Sequence, residues 1–330
     1  MPPLPSPPSV RTVTSALARE TAVTAGLLLA ASVIVFALVR SAPGDPVDVQ
    51  LGEAGGIGLS HADEDRIRAE RLAELGLDRS IPEQYVRWLA RMAGGDWGTS
   101  YRSGQPVLTE MLDRLPASLA LGAAGFAVAL VLAVALALLA SRRPDGPVDQ
   151  LLRLVTLATV AVPSFLLGTL ALQVATGAVG YRIAGPATVD RLWLPALVLG
   201  LAAMPTMSRV LRASLIAERG RLYAVAALAR GASPGRTLLR HVLRPATAPV
   251  LILGGLAFAS LVTGSIITEA VFTWPGVGLY AVEAISAQDY PVVQAYVLLA
   301  TALVVVVNRG VDLGARLVDP RGDASAEAVA

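Results

Sequence analysis

Six long apolar runs set the rhythm of the chain: Thr21 to Val39, Ser118 to Ala140, Leu154 to Val179, Leu192 to Val210, Pro249 to Thr268 and Val292 to Asn308. A hydrocarbon core about 30 Å thick takes roughly 20 residues of helix, so each run is long enough to cross a bilayer. The pattern predicts an all-α polytopic membrane protein with six transmembrane helices. The first run is too long, and too poorly followed by a cleavage pattern, for a signal peptide, and reads as a retained anchor at 21–40. The proline-rich opening, residues 1–20, reads as a disordered tail.

The stretch between the first two runs, residues 41–117, is polar but periodic. Asp63 to Leu75 has helical spacing of Ile67, Leu72 and Leu75, with Gly76 to end it. Ser80 and Glu83 form a capping box leading into Gln84 to Met92, where Tyr85, Trp88 and Leu89 make a stripe suited to packing. Trp97 and Tyr101 suit the headgroup level, where amphipathic aromatics are favoured.

A second polar interval, Tyr223 to Ala246, separates the fourth and fifth runs and predicts two short helices with a break. Ala224 to Arg230 favours helix, and Gly231 most easily takes the left-handed turn after it. Ser233 stands where an N-cap belongs and Pro234 at the first helical position. The second helix would run to about Leu243, with Arg236, Arg240 and Arg244 on one face and Leu239 and Leu243 on another. Such a capped break is either an ordinary basic loop or a rigid element displayed for a partner.

Charge orients the spans. Residues 209–244 hold eight arginines against one acid, Glu218, whereas residues 41–117 hold thirteen acids against eight arginines. Arg142, Arg143 and Arg153, and later Arg309, Arg316 and Arg321, sit on the same side as the basic loop. Positive residues stay inside, so both termini and the 211–246 loop are cytoplasmic and 41–117 is a small external helical segment. The five later spans form one membrane body over 118–317, followed by a cytoplasmic tail at 318–330.

Composition removes most other chemistry. The chain is 54% hydrophobic and only 16% charged, with no cysteine and two histidines, His61 and His241. Thiolate sites are excluded, and no cofactor, metal site or catalytic residue is expected. All 27 basic residues are arginine, spread over membrane-flanking loops, so no nucleic-acid partner is expected. Within the spans, helix breakers outnumber charges: Pro163, Pro195, Pro205, Gly254 and Gly255 suit helices that bend or approach closely. The near absence of intramembrane acids argues against a secondary transporter or channel. Glu269 is the exception; with Trp274 it would line an outer mouth, or simply lie at the interface.

Several stretches, taken in order, resemble the permease subunits of ABC importers of the oligopeptide, dipeptide and nickel class. They are Ala42-Pro43-Gly44-Asp45-Pro46, the block from Leu75 to Tyr101, Arg114-Leu115-Pro116-Ala117-Ser118, Ala161 to Leu167, Tyr223 to Ala246, Ile267 to Gly278, Asp289 to Gln294 and Asp319-Pro320-Arg321. Together they cover nearly the whole chain. The Tyr223–Ala246 stretch is similar to the cytoplasmic loop on which such permeases dock their ATPase. Val225 stands where that motif carries its glutamate, and Arg244 precedes Pro245 where many relatives have Leu-Pro, while Ala226, Ala227 and Gly231 match.

The resemblance implies a multi-pass protein of the bacterial inner membrane, not an enzyme, that forms half of a translocation path with a second homologous permease. It implies two ABC ATPase subunits and an extracytoplasmic solute-binding protein as partners, and peptides or a related small solute such as nickel as cargo. Tyr223, Ala226, Ala227, Arg230, Gly231, Ser233, Arg240 and Leu243 would form the ATPase-coupling loop. The chain has no G-x-x-x-x-G-K-[ST] phosphate loop, so ATP binding falls to those partners.

Overall fold

In the computed structural model of the protein, residues 10–41, 66 and 79–318 are described; among them the chain is helical throughout, apart from turns and one isolated bridge between Thr99 and Pro106. It divides into two compact units, residues 1–110 with 284–305, and residues 111–283 with 306–330.

The first unit contains α1 (Val10–Ser41), α2 (Ile81–Ala93) and the start of α12 (Tyr290–Val318). Helix α1 begins at Val10 rather than at the first apolar run, so the expected tail over 1–20 is helical from Val10 onward. It shows Val23, Leu27, Leu29, Val33, Ile34 and Leu38 outward, as a helix bathed in hydrocarbon does. Helix α2 lies on it. The Phe36 ring meets Tyr85 at 5.4 Å and Trp88 at 5.5 Å, and the Ser32 and Tyr85 hydroxyls share a hydrogen bond of 2.8 Å. The aromatic stripe is therefore packing, as its spacing predicts.

The expected capping box is half realised. Ser80 is the N-cap residue, but its side chain makes no capping bond. Glu83 turns instead to Arg79 at 2.8 Å and Arg87 at 3.1 Å, and the adjacent Arg79 guanidinium holds its carboxyl below the usual range. Two arginines within one turn out-compete a backbone N–H for the carboxylate. Tyr101 is largely enclosed, and that burial, with the Asp289 carboxylate close by, pushes its phenol up to about 12. The helix expected over Asp63 to Leu75 lies outside the described residues apart from position 66.

The second unit is built from α3 (Val107–Arg142), α4 (Pro147–Ala161), α5 (Ser164–Val179), α6 (Val189–Arg219), α7 (Leu222–Ala229), α8 (Pro234–Thr237), α9 (Leu243–Gly264), α10 (Ile266–Val271) and α11 (Val277–Ser286). An alanine at every fourth position of α3 (Ala129, Ala133 and Ala137, all fully buried) lets that helix approach Met204, Met207, Leu211 and Leu215 of α6. Leu238, Val242, Ala246 and Val250 complete the cluster from the loop and α9.

Among the described residues, four helices are long and apolar enough to cross a membrane: Thr21–Ser41, Val107–Arg142, Val189–Arg219 and Tyr290–Val311. The third expected span, Leu154 to Val179, is not one helix but the pair α4 and α5, bent by 99° at Val162–Pro163. The Pro163 ring supplies no N–H and biases the residue before it away from helix, so the break falls where sterics require. Pro195 and Pro205, by contrast, are absorbed inside α6 without ending it. The fifth expected span, Pro249 to Thr268, ends at Gly264; Ser265 turns the chain and α10 carries Glu269 separately.

Candidate functional site

Helices α6 and α9 flank the polar loop. Helix α7 buries Ala224 and Ala227 against the unit's core and turns Leu222, Tyr223, Val225, Ala226 and Leu228 outward. Leu222 is 88% exposed and Val225 51%. The C-terminus of α7 closes as the sequence predicts. Gly231 sits at φ +85° and donates its N–H to the Leu228 carbonyl at 2.9 Å, and Ala232 donates to Ala227 at 3.1 Å. That pair of bonds is the Schellman closure, in which the left-handed position favours glycine. Ser233 then caps α8: its hydroxyl accepts from the Arg236 N–H at 3.4 Å, with Pro234 in the first turn.

The second helix does not stop near Leu243. After α8 the chain passes through a π-helical turn, Leu238–Val242, directly into α9. The extra residue of that turn buries Leu238 and Val242 while leaving Leu239, Arg240, His241 and Arg244 exposed. Of the loop residues picked out by sequence, Tyr223, Ala226, Arg230, Gly231, Ser233 and Arg240 are on the surface. Ala227 is buried beneath α7 and Leu243 is half-buried, so those two hold the loop rather than face outward. The Tyr223 hydroxyl donates to the Glu218 carboxylate, tying α7 back to α6.

At the other end of α9, Glu269 and Trp274 are enclosed, at 0% and 1% exposed, so neither presents a side chain to an open surface of this chain. Glu269 accepts from the Ser265 hydroxyl at 2.8 Å and from the Leu279 N–H at 3.0 Å, at the start of α11. A carboxylate there meets the positive end of the helix. Ser118 accepts the Val277 N–H at 2.8 Å, and the Trp274 indole N–H donates to the Ala117 carbonyl at 2.9 Å. A Cβ on Gly276 would run into both the Glu269 carboxylate and the Ser118 hydroxyl, which explains glycine at that position.

Two residues escaped sequence reading. Arg191 is 1% exposed and sits in the first turn of α6. Asp149, with a fully buried side chain in the first turn of α4, accepts from Arg212 of α6 through two nitrogens, from Arg153 at 3.0 Å and from the Asp145 N–H at 2.9 Å. Arg219, at the last turn of α6, donates to the Ser141 carbonyl of α3. The end of α6 that enters the polar loop is thus fastened to α3 and α4. Neither residue lies in a periodic pattern, which is the only signal that could have marked it.

An apolar bundle with an exposed, doubly capped helical loop matches a known family over most of its length. Residues 129–323 match the family described as binding-protein-dependent transport system inner membrane component, and residues 14–122 match its N-terminal counterpart. The chain belongs to this family. It is an ABC importer permease subunit and a multi-pass protein of the bacterial inner membrane.

The permease is similar to the oligopeptide transport system permease protein AppB of Bacillus subtilis, 31% identical over 92% of this chain and 97% of the relative. It is 32% identical to the di/tripeptide transport system permease protein DppB of Pseudomonas aeruginosa, over 88% of this chain and 93% of that one. The dipeptide transport system permease protein DppB of Escherichia coli is 30% identical over 88% and 93%. These relatives are transport permeases, not enzymes, and membership of the family implies further subunits such as an ATPase and a binding protein.

Proposed function

We propose that the permease passes peptides, or a related small solute such as nickel, across the membrane as half of a path completed by a second homologous permease. Two ABC ATPases dock on the paired cytoplasmic loops, residues 211–246 in this chain, and an extracytoplasmic solute-binding protein delivers the cargo. Six spans with both termini inside is the topology consistent with the arginine distribution.

The observation that carries the reading is the outward face of α7. Leu222, Tyr223, Val225 and Leu228 are all more than 40% exposed, in a loop otherwise marked by arginines. Apolar side chains held out on a fixed, capped helix suit insertion into a groove of a partner. The Schellman turn at Gly231 makes that helix a stiff extension of α6 and α9, able to pass on a push from below. The test is uptake by proteoliposomes holding the permease, its partner permease and the ATPases, with cognate binding protein outside. Binding-protein-dependent, ATP-dependent uptake of a labelled peptide supports the reading; uptake unaffected by omitting the ATPases overturns it.

A further inference from the structure

Arg191 is a buried cation without an acid: among the described residues it forms no ion pair, and the neighbouring Asp190 pairs with Arg182 instead, at 2.7 Å. Desolvating a charge is costly unless its donors are satisfied, and a guanidinium has five N–H groups in a planar fork. Here backbone carbonyls take them all. Arg191 donates to Arg182 at 3.2 Å, to Ile183, to Gly185 and to Pro186 at 2.9 Å, all in the segment leading into α6. It also donates to Phe272 at 3.2 Å and Thr273 at 3.1 Å, in the turn after α10, and its guanidinium lies 5.8 Å from the Trp274 ring centroid. Tyr181 braces the site by donating its hydroxyl to the Arg191 carbonyl at 2.5 Å.

The two bonded segments are 81 and 82 residues from Arg191 on one side and within nine on the other. Their place in the chain gives the contact its meaning. Helices α6 and α9 are joined at one end by the polar loop and packed together through Met204, Met207, Leu211, Ala246 and Val250, and further from the loop through Leu199 and Leu261. At the other end α9 continues through Ser265 and α10 to Thr273, where Arg191 ties it back to the start of α6. The circuit is closed at both ends. We propose that Arg191 is a positioning residue for transport: it makes α6, α9 and the loop between them a single lever, so that motion at the loop reaches α10, which carries Glu269, and the turn with Trp274 without being lost between the two helices. The inference rests on the loop being the ATPase contact.

The assembled transporter in lipid nanodiscs gives the test. Spin labels at Val189 on α6 and Leu256 on α9, 83% and 52% exposed, report the distance between the two helices. That distance is expected to be the same in the nucleotide-free and the vanadate-trapped complex, and a shift on trapping in the otherwise native protein overturns the proposal without need of any Arg191 variant. In R191Q the distance should become nucleotide-dependent, with uptake per ATP hydrolysed falling about tenfold, a loss of the size of an ordinary inter-site coupling. R191K, which keeps the charge but loses the fork, should fall between. Native uptake per ATP in R191Q also overturns it. Cross-linking of a cysteine at Leu222 to the ATPase separates the two readings: failure there removes the docking assignment, whereas a moving Val189–Leu256 distance with cross-linking intact removes only the lever.

Discussion

Glu269 accepts the Leu279 N–H at 3.0 Å, so the buried acid caps α11 from a helix one turn of chain away. Its second oxygen is occupied by Ser265. A side chain that satisfies two donors inside the fold has a structural duty, and its loss should be read in stability. Glu269→Gln keeps an acceptor for the helix and is expected to be mild. Glu269→Ala leaves the Leu279 amide without its acceptor and the Ser265 hydroxyl with only the Val262 carbonyl, and should destabilise by about 1–3 kcal/mol. Thermal unfolding of the purified permease in detergent distinguishes them, and an alanine variant as stable as the native protein refutes the capping role. Gly276→Ala, which forces a methyl into the same carboxylate, should lower the yield of folded protein further.

The outward face of α7 makes a prediction about binding alone. Burying a leucine against a partner contributes about 1.5–3 kcal/mol, so Leu222→Asp should weaken ATPase capture roughly ten- to hundredfold. Leu222 is 88% exposed, and the permease itself should stay as stable as before. Titrating detergent-solubilised ATPase onto immobilised permease reads the affinity; unchanged binding by Leu222→Asp and Val225→Asp together removes α7 from the interface.

At Gly231 the expectation concerns coupling. A Cβ there meets nothing within 4 Å, so space is not the obstacle; φ +85° is. A β-branched residue in the left-handed region costs about 1–2 kcal/mol, enough to favour a different turn between α7 and α8. Gly231→Val should leave ATP hydrolysis by the assembled transporter largely intact while uptake falls. Full uptake by a normally assembled variant would mean that the turn does not transmit force.

What could be read from the sequence was local. Gly231, Ser233 and Pro234 act on neighbours within four residues, so their spacing announced the turn, and the Tyr85–Trp88 stripe announced the face of α2 that packs. Glu269 is legible as an acid near a span end, but its partners, Leu279, Gly276 and Gly278, become neighbours only when Ser265 ends α9. Arg191 left no trace at all. Its ligands are carbonyl oxygens, which every residue carries, so no side-chain pattern could reveal them. Pro163 shows the same limit from the other direction: the residue was recognised as a breaker, but a 99° bend and an absorbed proline such as Pro205 look alike until packing chooses between them.

Topology can be tested with two positions. Val86 on α2 is 63% exposed and Leu239 in the loop 62%, in a chain with no native cysteine. The arginine distribution predicts that Val86→Cys is labelled by an impermeant maleimide in cells with a permeabilised outer membrane, whereas Leu239→Cys is labelled only after the inner membrane is opened. The reverse pattern would invert the protein.

The Asp149–Arg212 pair ties α6, near the end that enters the loop, to α4. Asp149 has no exposed side-chain surface and Arg212 only 19%, with Nη2 of Arg212 2.5 Å from the carboxylate. Removing one partner of a buried pair costs about 3–5 kcal/mol, because the other charge is left desolvated and alone. Arg153 and the Asp145 N–H also bond Asp149, so the two ends are not equivalent. Arg212→Ala leaves Asp149 with two donors and should be the milder change; Asp149→Ala leaves Arg212 without its carboxylate, while Arg153 keeps Asp145. A double-mutant cycle on thermal or denaturant unfolding should therefore show strong non-additivity, with the double variant close to Asp149→Ala alone. Additive losses would mean that α4 and α6 are held together by packing rather than by this ion pair, leaving the Arg219–Ser141 bond as the polar tie at the loop end of α6.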